Sequence, residues 1–287
     1  MKTFLKQIRD IPDDVCESVV APISHYTVLL VYRGRLKGSG TFVQCGDLFG
    51  VLTAHHVIHR GARLDFSSAS TDDLGLSIDS HASAFYMPLN RLTLIDIGVP
   101  VTEMEGPDLS FISIPPGEHL SILRAKKSFW NLNYQRLMRL AGCARRNGGW
   151  CLAYHANERT QEETDERGGI LYFPANVGWG SVRKSYTSDG YDYCEMGLDP
   201  PNEKKGIPNS FGGASGGGLW KVPLSGDPNG RIEAGKPILA GVIYFQTQER
   251  TILCHGPMSI YERVYEALIQ RTNKSVRKEK KKEKGIF

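Results

Sequence analysis

From His25 to Pro257 the chain is a succession of short β-branched and aromatic runs, each ended by glycine or another turn former. No feature constrains the fold more. "HYTVLLVYRG", "GSGTFVQ" and "LFGVLTAHHVI" follow one another closely, the last after the turn Cys45 to Asp47. Runs this short and this close predict an antiparallel meander. "GLSIDSHASAFYM", "RLTLIDIGVPV" and "DLSFISI" continue the pattern. The 31 glycines fit many tight turns rather than long helices.

The pattern divides the chain. Residues 1–24 read as an N-terminal extension and 25–122 as a first all-β unit. Residues 123–147 are cationic, partly helical in propensity, and read as a connection. A second β unit, 148–270, contains "GWCLAYHA", "GILYFPANVGWGSV", "YDYCEMGL", "PILAGVIYF" and "TILCHGP", with the polar stretch "NERTQEETDERGG" as an exposed loop. It closes on "SIYERVYEALIQR", where Ile260, Val264 and Leu268 recur every four residues beside Tyr261 and Tyr265. That spacing predicts one amphipathic helix.

Charge is unevenly placed. Residues 271–287 carry eight Lys or Arg and two Glu, so this tail is +6 and the rest of the chain −2. The body therefore offers no basic surface for nucleic acid, and the tail reads as a solvated, disordered end whose contact with nucleic acid or acidic lipid would be weak. No stretch approaches the ~18 apolar residues of a membrane span. No signal-peptide pattern opens the chain, so the expected location is the cytoplasm, with all six cysteines reduced. None of them forms a C-x-x-C pair, which removes the usual structural zinc motif.

Three segments carry chemistry: "VLTAHHVI", "PDLSFISIP" and "GGASGGGL". A serine hydroxyl becomes a nucleophile when an imidazole takes its proton, and a carboxylate on the other ring nitrogen fixes the tautomer. The oxyanion that forms needs backbone N–H donors on small residues. Five glycines around Ala214 and Ser215 suit that need, with Gly213 and Ser215 as donors and Gly216 and Gly217 leaving room for substrate.

In this order the segments resemble the trypsin/chymotrypsin-like serine proteases, in particular stand-alone bacterial members of intracellular type. "LTAHHV" is similar to Thr-Ala-Ala-His-Cys, "DLSFISI" to Asp-Ile-Ala-Leu-Leu, and "GGASGGGL" to Gly-Asp-Ser-Gly-Gly-Pro. "ILAGVIYFQ" resembles the strand that pairs with bound substrate. The resemblance covers residues 26–270. It implies two six-stranded antiparallel β-barrels with a C-terminal helix and a triad of His56, Asp108 and Ser215 in the cleft between them. It implies a serine endopeptidase acting on a protein or peptide, without cofactor. The alternative is a non-catalytic protein-binding module that uses the same cleft.

The chain also departs from that family. Val57 stands where secreted members have a disulfide cysteine, and Ala214 replaces the Asp that pairs with a new N-terminus in zymogens. Activation by N-terminal trimming is therefore not expected, and control by a partner protein is. By resemblance the substrate pocket involves Asn209, Gln246 and Ser259, none of them charged, which favours a neutral polar or small apolar substrate residue. Asp96 is the rival triad acid, and His55 the rival histidine. His55 and His59, four apart, would suit a metal on a helix face, but they read as the end of a strand and no third ligand suggests itself. No metal is expected.

Overall fold

The computed structural model describes residues 11–60, 64–78, 84–102, 106–144, 148–157, 161–165, 168–172, 175–198, 210–226 and 231–273. The expected extension contains a helix, α1 (Asp13–Ser24). Asp13 and Asp14 lie in its first turn, where the helix dipole favours negative charge. Val15, Cys16, Val19 and Ile23 form its buried stripe and join Ile11 and Trp179 in the main apolar cluster.

The first β unit is one sheet. Its strands are β1 (Thr27–Tyr32), β2 (Arg35–Cys45), β3 (Leu48–Thr53), β4 (Asp73–Ser77), β5 (Phe85–Pro88), β6 (Thr93–Gly98) and β7 (Leu109–Ile114). They run in the order β5-β4-β1-β2-β3-β7-β6. Between β1 and β2, Arg33 and Gly34 both have positive φ, the backbone of a two-residue hairpin turn.

This corrects the expectation of a closed six-stranded barrel here: the hydrogen-bonded ladder is open. The residues that would form one continuous closing strand are bent at Pro88 and coiled into a single tight turn, Leu89–Arg91. Proline supplies no N–H to continue a ladder. So β5 pairs with β4, β6 pairs with β7, and only the covalent chain joins the two ends of the sheet.

The connection folds as α3 (Glu118–Lys126), a two-residue strand β8 (Trp130–Asn131) parallel to β2, and α4 (Arg136–Cys143). Trp130 is the seam. Its ring lies edge-on to Trp220 at 5.4 Å, and Arg139 covers it. Its Nε1 donates to the Tyr261 hydroxyl at 3.1 Å.

The second unit is a closed six-stranded barrel, as expected. It is built from β9 (Gly149–Tyr154), β12 (Asn176–Ser188), β13 (Tyr191–Leu198), β14 (Gly218–Val222), β17 (Ile238–Gln246) and β18 (Ile252–His255). Two hairpins stand outside it, β10 (Gln161–Asp165) with β11 (Gly168–Tyr172), and β15 (Leu224–Gly226) with β16 (Ile232–Ala234). β10 falls in the stretch expected to be a loop, while β11 lies mostly in the run "GILYF" expected to be a strand. A two-stranded ribbon is held by main-chain bonds, so a polar sequence does not prevent it.

Residues 257–273 form the terminal helix α5, with a wider turn at Ser259–Val264. Ile260, Val264 and Leu268 are all wholly buried. The helix extends three residues into the expected tail; residues 274–287 lie outside the described residues. One apolar cluster, from Leu52 and Phe111 to Trp220 and Val242, runs through both units. All six cysteines are buried and none is in a disulfide. Among the described residues no helix is long and apolar enough to cross a membrane.

Candidate active site

β3 ends at Thr53 and the chain turns into one short helix, α2 (His55–His59). Val57 and Ile58 are buried and anchor it, which leaves the His56 side chain one-quarter exposed. Asp108, at the start of β7, is buried and grips His56 twice. Its Oδ2 lies 2.6 Å from Nδ1 of the ring, and its Oδ1 accepts the His56 backbone N–H at 2.9 Å. Burial pushes the Asp108 carboxyl up, but the bonds and charge from His56 outweigh it and hold the group below the usual carboxylate range.

Behind Asp108 stands a residue the sequence did not single out. The Asp108 backbone N–H donates to His255 Nε2 at 3.1 Å, so that nitrogen carries no proton. Burial lowers the His255 pKa to about 4. Its ring packs against Tyr191, Tyr193 and Tyr244. A histidine in the apolar run "TILCHGP" gives no signal of such a role.

Ser215 sits in two consecutive tight turns, closed by Ala214 N–H to Phe211 O and Gly217 N–H to Ala214 O, both 2.9 Å. Gly213 and Gly216 occupy the third position of each, both at φ +89°. That backbone favours glycine. Among the described residues, no carbonyl or side chain accepts the N–H of Gly213 or of Ser215. The Ser215 Oγ donates to the Tyr244 carbonyl at 3.4 Å.

The expectation that Gly216 and Gly217 are small to admit substrate is corrected. A Cβ on Gly216 would run into Ser39 O and Thr53 Oγ1, and one on Gly217 into Ala153 O and Ala214 O. These glycines let the turns lie against neighbouring backbone. Ser39, also missed by sequence reasoning, is the bracket. Its N–H donates to Ser215 O at 2.8 Å, its Oγ donates to Gly213 O at 2.7 Å, and its Oγ accepts the His155 N–H at 2.8 Å.

His56 and Ser215 line the same cleft of about 360 Å³. Gln246 lines it too, its Oε1 accepting the Phe211 N–H at 3.0 Å. Arg60 contributes a positive charge that the sequence reading did not include. Ser259 is not in the cleft. It is wholly buried elsewhere, and its N–H and Oγ both donate to Asp192 Oδ1, at 2.6 and 2.8 Å. Asn209 lies outside the described residues.

Asp96 points to the other two histidines of α2. Its Oδ1 is 3.1 Å from His59 Nε2, 3.8 Å from His55 Nε2, and accepts the Ser110 hydroxyl at 2.7 Å. So Asp108 is the carboxylate on His56, and the third group missing from the His55–His59 pair is Asp96. The strand end expected at this point is a helix.

No protein-family model matches the chain, and no curated protein matches it. Solved structures that it resembles include Rv3671c from M. tuberculosis H37Rv in an inactive form, at 14% identity and TM-score 0.45, over 89% of this chain and 93% of that one. A structure from work on the Sesbania mosaic virus VPg protein aligns at 12% identity and TM-score 0.43, over 84% and 90%. Kallikrein-related peptidase 10 aligns at 12% identity and TM-score 0.39, over 88% and 97%.

Proposed function

We propose that the protein is a chymotrypsin-like serine endopeptidase. The observation that carries this is the buried Asp108 holding His56 by ring and backbone, in a cleft that also contains Ser215. In the reaction, Ser215 Oγ attacks a peptide carbonyl carbon while His56 Nε2 takes its proton. Asp108 keeps the ring's other proton on Nδ1 and stabilises the imidazolium. The carbonyl oxygen becomes an oxyanion between the N–H groups of Gly213 and Ser215. His56 then gives its proton to the leaving amine, and water repeats the sequence on the acyl-enzyme.

Ser215 first has to leave the Tyr244 carbonyl. At 3.4 Å that bond is longer than the usual 2.5–3.0 Å for a hydroxyl donor, so little holds it. Substrate pairs with the edge of β17 beyond Ile243, whose N–H and carbonyl are taken by Gly217 and Gly216. The described cleft wall has no carboxylate and one guanidinium, which disfavours Lys and Arg before the scissile bond. A peptide library digested with the protein is expected to show depletion of both residues at that position.

The Ser215 hydroxyl donating to the Tyr244 carbonyl, and not to His56, favours a second reading, a binding module whose serine is not engaged by the histidine. A fluorophosphonate probe separates them. The protease labels, and labelling is lost in S215A and in H56A. A binding module gives no label in the unmodified chain.

A further inference from the structure

We propose that His55, His59 and Asp96 form a binding site for a divalent transition metal ion of the zinc class, where α2 faces Asp96. The ligand atoms of the three residues lie within 4.8 Å of one another. Zinc bonds of about 2.0–2.2 Å in a tetrahedron put neighbouring donors about 3.3 Å apart. The observed separations from Asp96 Oδ1, 3.1 Å to His59 and 3.8 Å to His55, lie on either side of that value. Two imidazoles and one carboxylate form a donor set that suits zinc.

A second observation points to a ligand. His55 is nine-tenths buried, yet its ring makes no hydrogen bond. Its Nε2 faces Asp96 from too far for one. The wholly buried, unpartnered atom is Nδ1; Nε2 is the nitrogen that faces Asp96, and a metal there would give the ring its first polar partner. The His55 and His59 rings stack at 4.0 Å, held by one helical turn. The Ser110 hydroxyl on Asp96 orients the carboxylate as an outer-shell donor. The exposed edges of His59 and Asp96 leave a fourth position to solvent.

The inference does not depend on the protease reading, because its test reads metal and not activity. The full chain is freed of metal by chelation and titrated with Zn²⁺ by calorimetry. One Zn²⁺ per chain is expected, with Mg²⁺ giving no heat. H59Q and D96N are each expected to weaken binding more than ~10-fold, the loss seen when even an outer-shell partner is removed. H56Q is expected to bind as the unmodified chain does. Circular dichroism checks that each variant is folded, and Co²⁺ absorption reports four-coordination that D96N abolishes. No uptake, unchanged uptake in folded D96N and H59Q, or uptake lost in H56Q would each overturn the proposal.

Discussion

At the scale of single residues, one charge behind the nucleophile, that of Asp108, decides the chemistry. Asp108→Asn keeps the shape but offers His56 an amide, which supports the wrong tautomer. A fall of about 10⁴-fold in kcat is expected, as for the same change in other Ser-His-Asp triads. Steady-state kinetics on one cleaved peptide measures it, with KM little changed.

His255 makes stability depend on pH. Its unfolded pKa is about 6.5 and its folded value about 4. Between these the unfolded chain binds the extra proton. Its contribution is therefore fully present above about pH 6.5 and is lost as pH falls towards 4, for about 3 kcal/mol in all. The groups facing the ring are Asp108 and the three tyrosines, none of which titrates in that window. Asp108, held low, adds a second loss only below about pH 3.9. Denaturant midpoints measured from pH 7 to 4 should fall in the unmodified chain and flatten in H255Q.

Elements were legible where their pattern is local. The four-residue spacing of Ile260, Val264 and Leu268 specifies α5, and glycine-bounded apolar runs specify most strands. What the sequence did not yield depends on partners distant along the chain. Nothing local in the runs that end at Met87 and begin at Arg91 says that the sheet they bound stays open, and α2 interrupts an apolar run that looks extended through His59. The same distinction separates two glycines. Gly34 has φ +68° and open space around it, so Gly34→Ala costs only the conformational strain of about 1–2 kcal/mol. Gly216 has φ +89° and backbone from the first unit against it. Gly216→Ala is expected to cost several kcal/mol, from strain and overpacking together, and to abolish probe labelling. Thermal unfolding of both variants gives the comparison.

At the scale of the molecule, the site exists because two units hold each other in place. The three segments that chemistry would want together stand out in the sequence, since each is a recognisable motif. Ser39 does not, because its value lies in bonds to Gly213, Ser215 and His155, more than a hundred residues away. Ser39→Ala leaves a buried N–H and a carbonyl without that partner and is expected to cost about 1–3 kcal/mol, while slowing probe labelling by loosening the turns. Tyr261→Phe tests the other seam. Its hydroxyl donates to Leu239 O at 2.7 Å and accepts from Trp130, joining α5, β17 and the connection. A similar loss is expected there, read by denaturant unfolding, with labelling unchanged.

The most direct measurement is a crystal structure of the chain after reaction with a peptidyl phosphonate. The account predicts phosphorus bonded to Ser215 Oγ, a phosphoryl oxygen about 2.7–3.1 Å from the N–H groups of Gly213 and Ser215, and His56 Nε2 turned to the adduct with Asp108 still on Nδ1. An unmodified Ser215 resting on the Tyr244 carbonyl, or phosphorus on another residue, would contradict it.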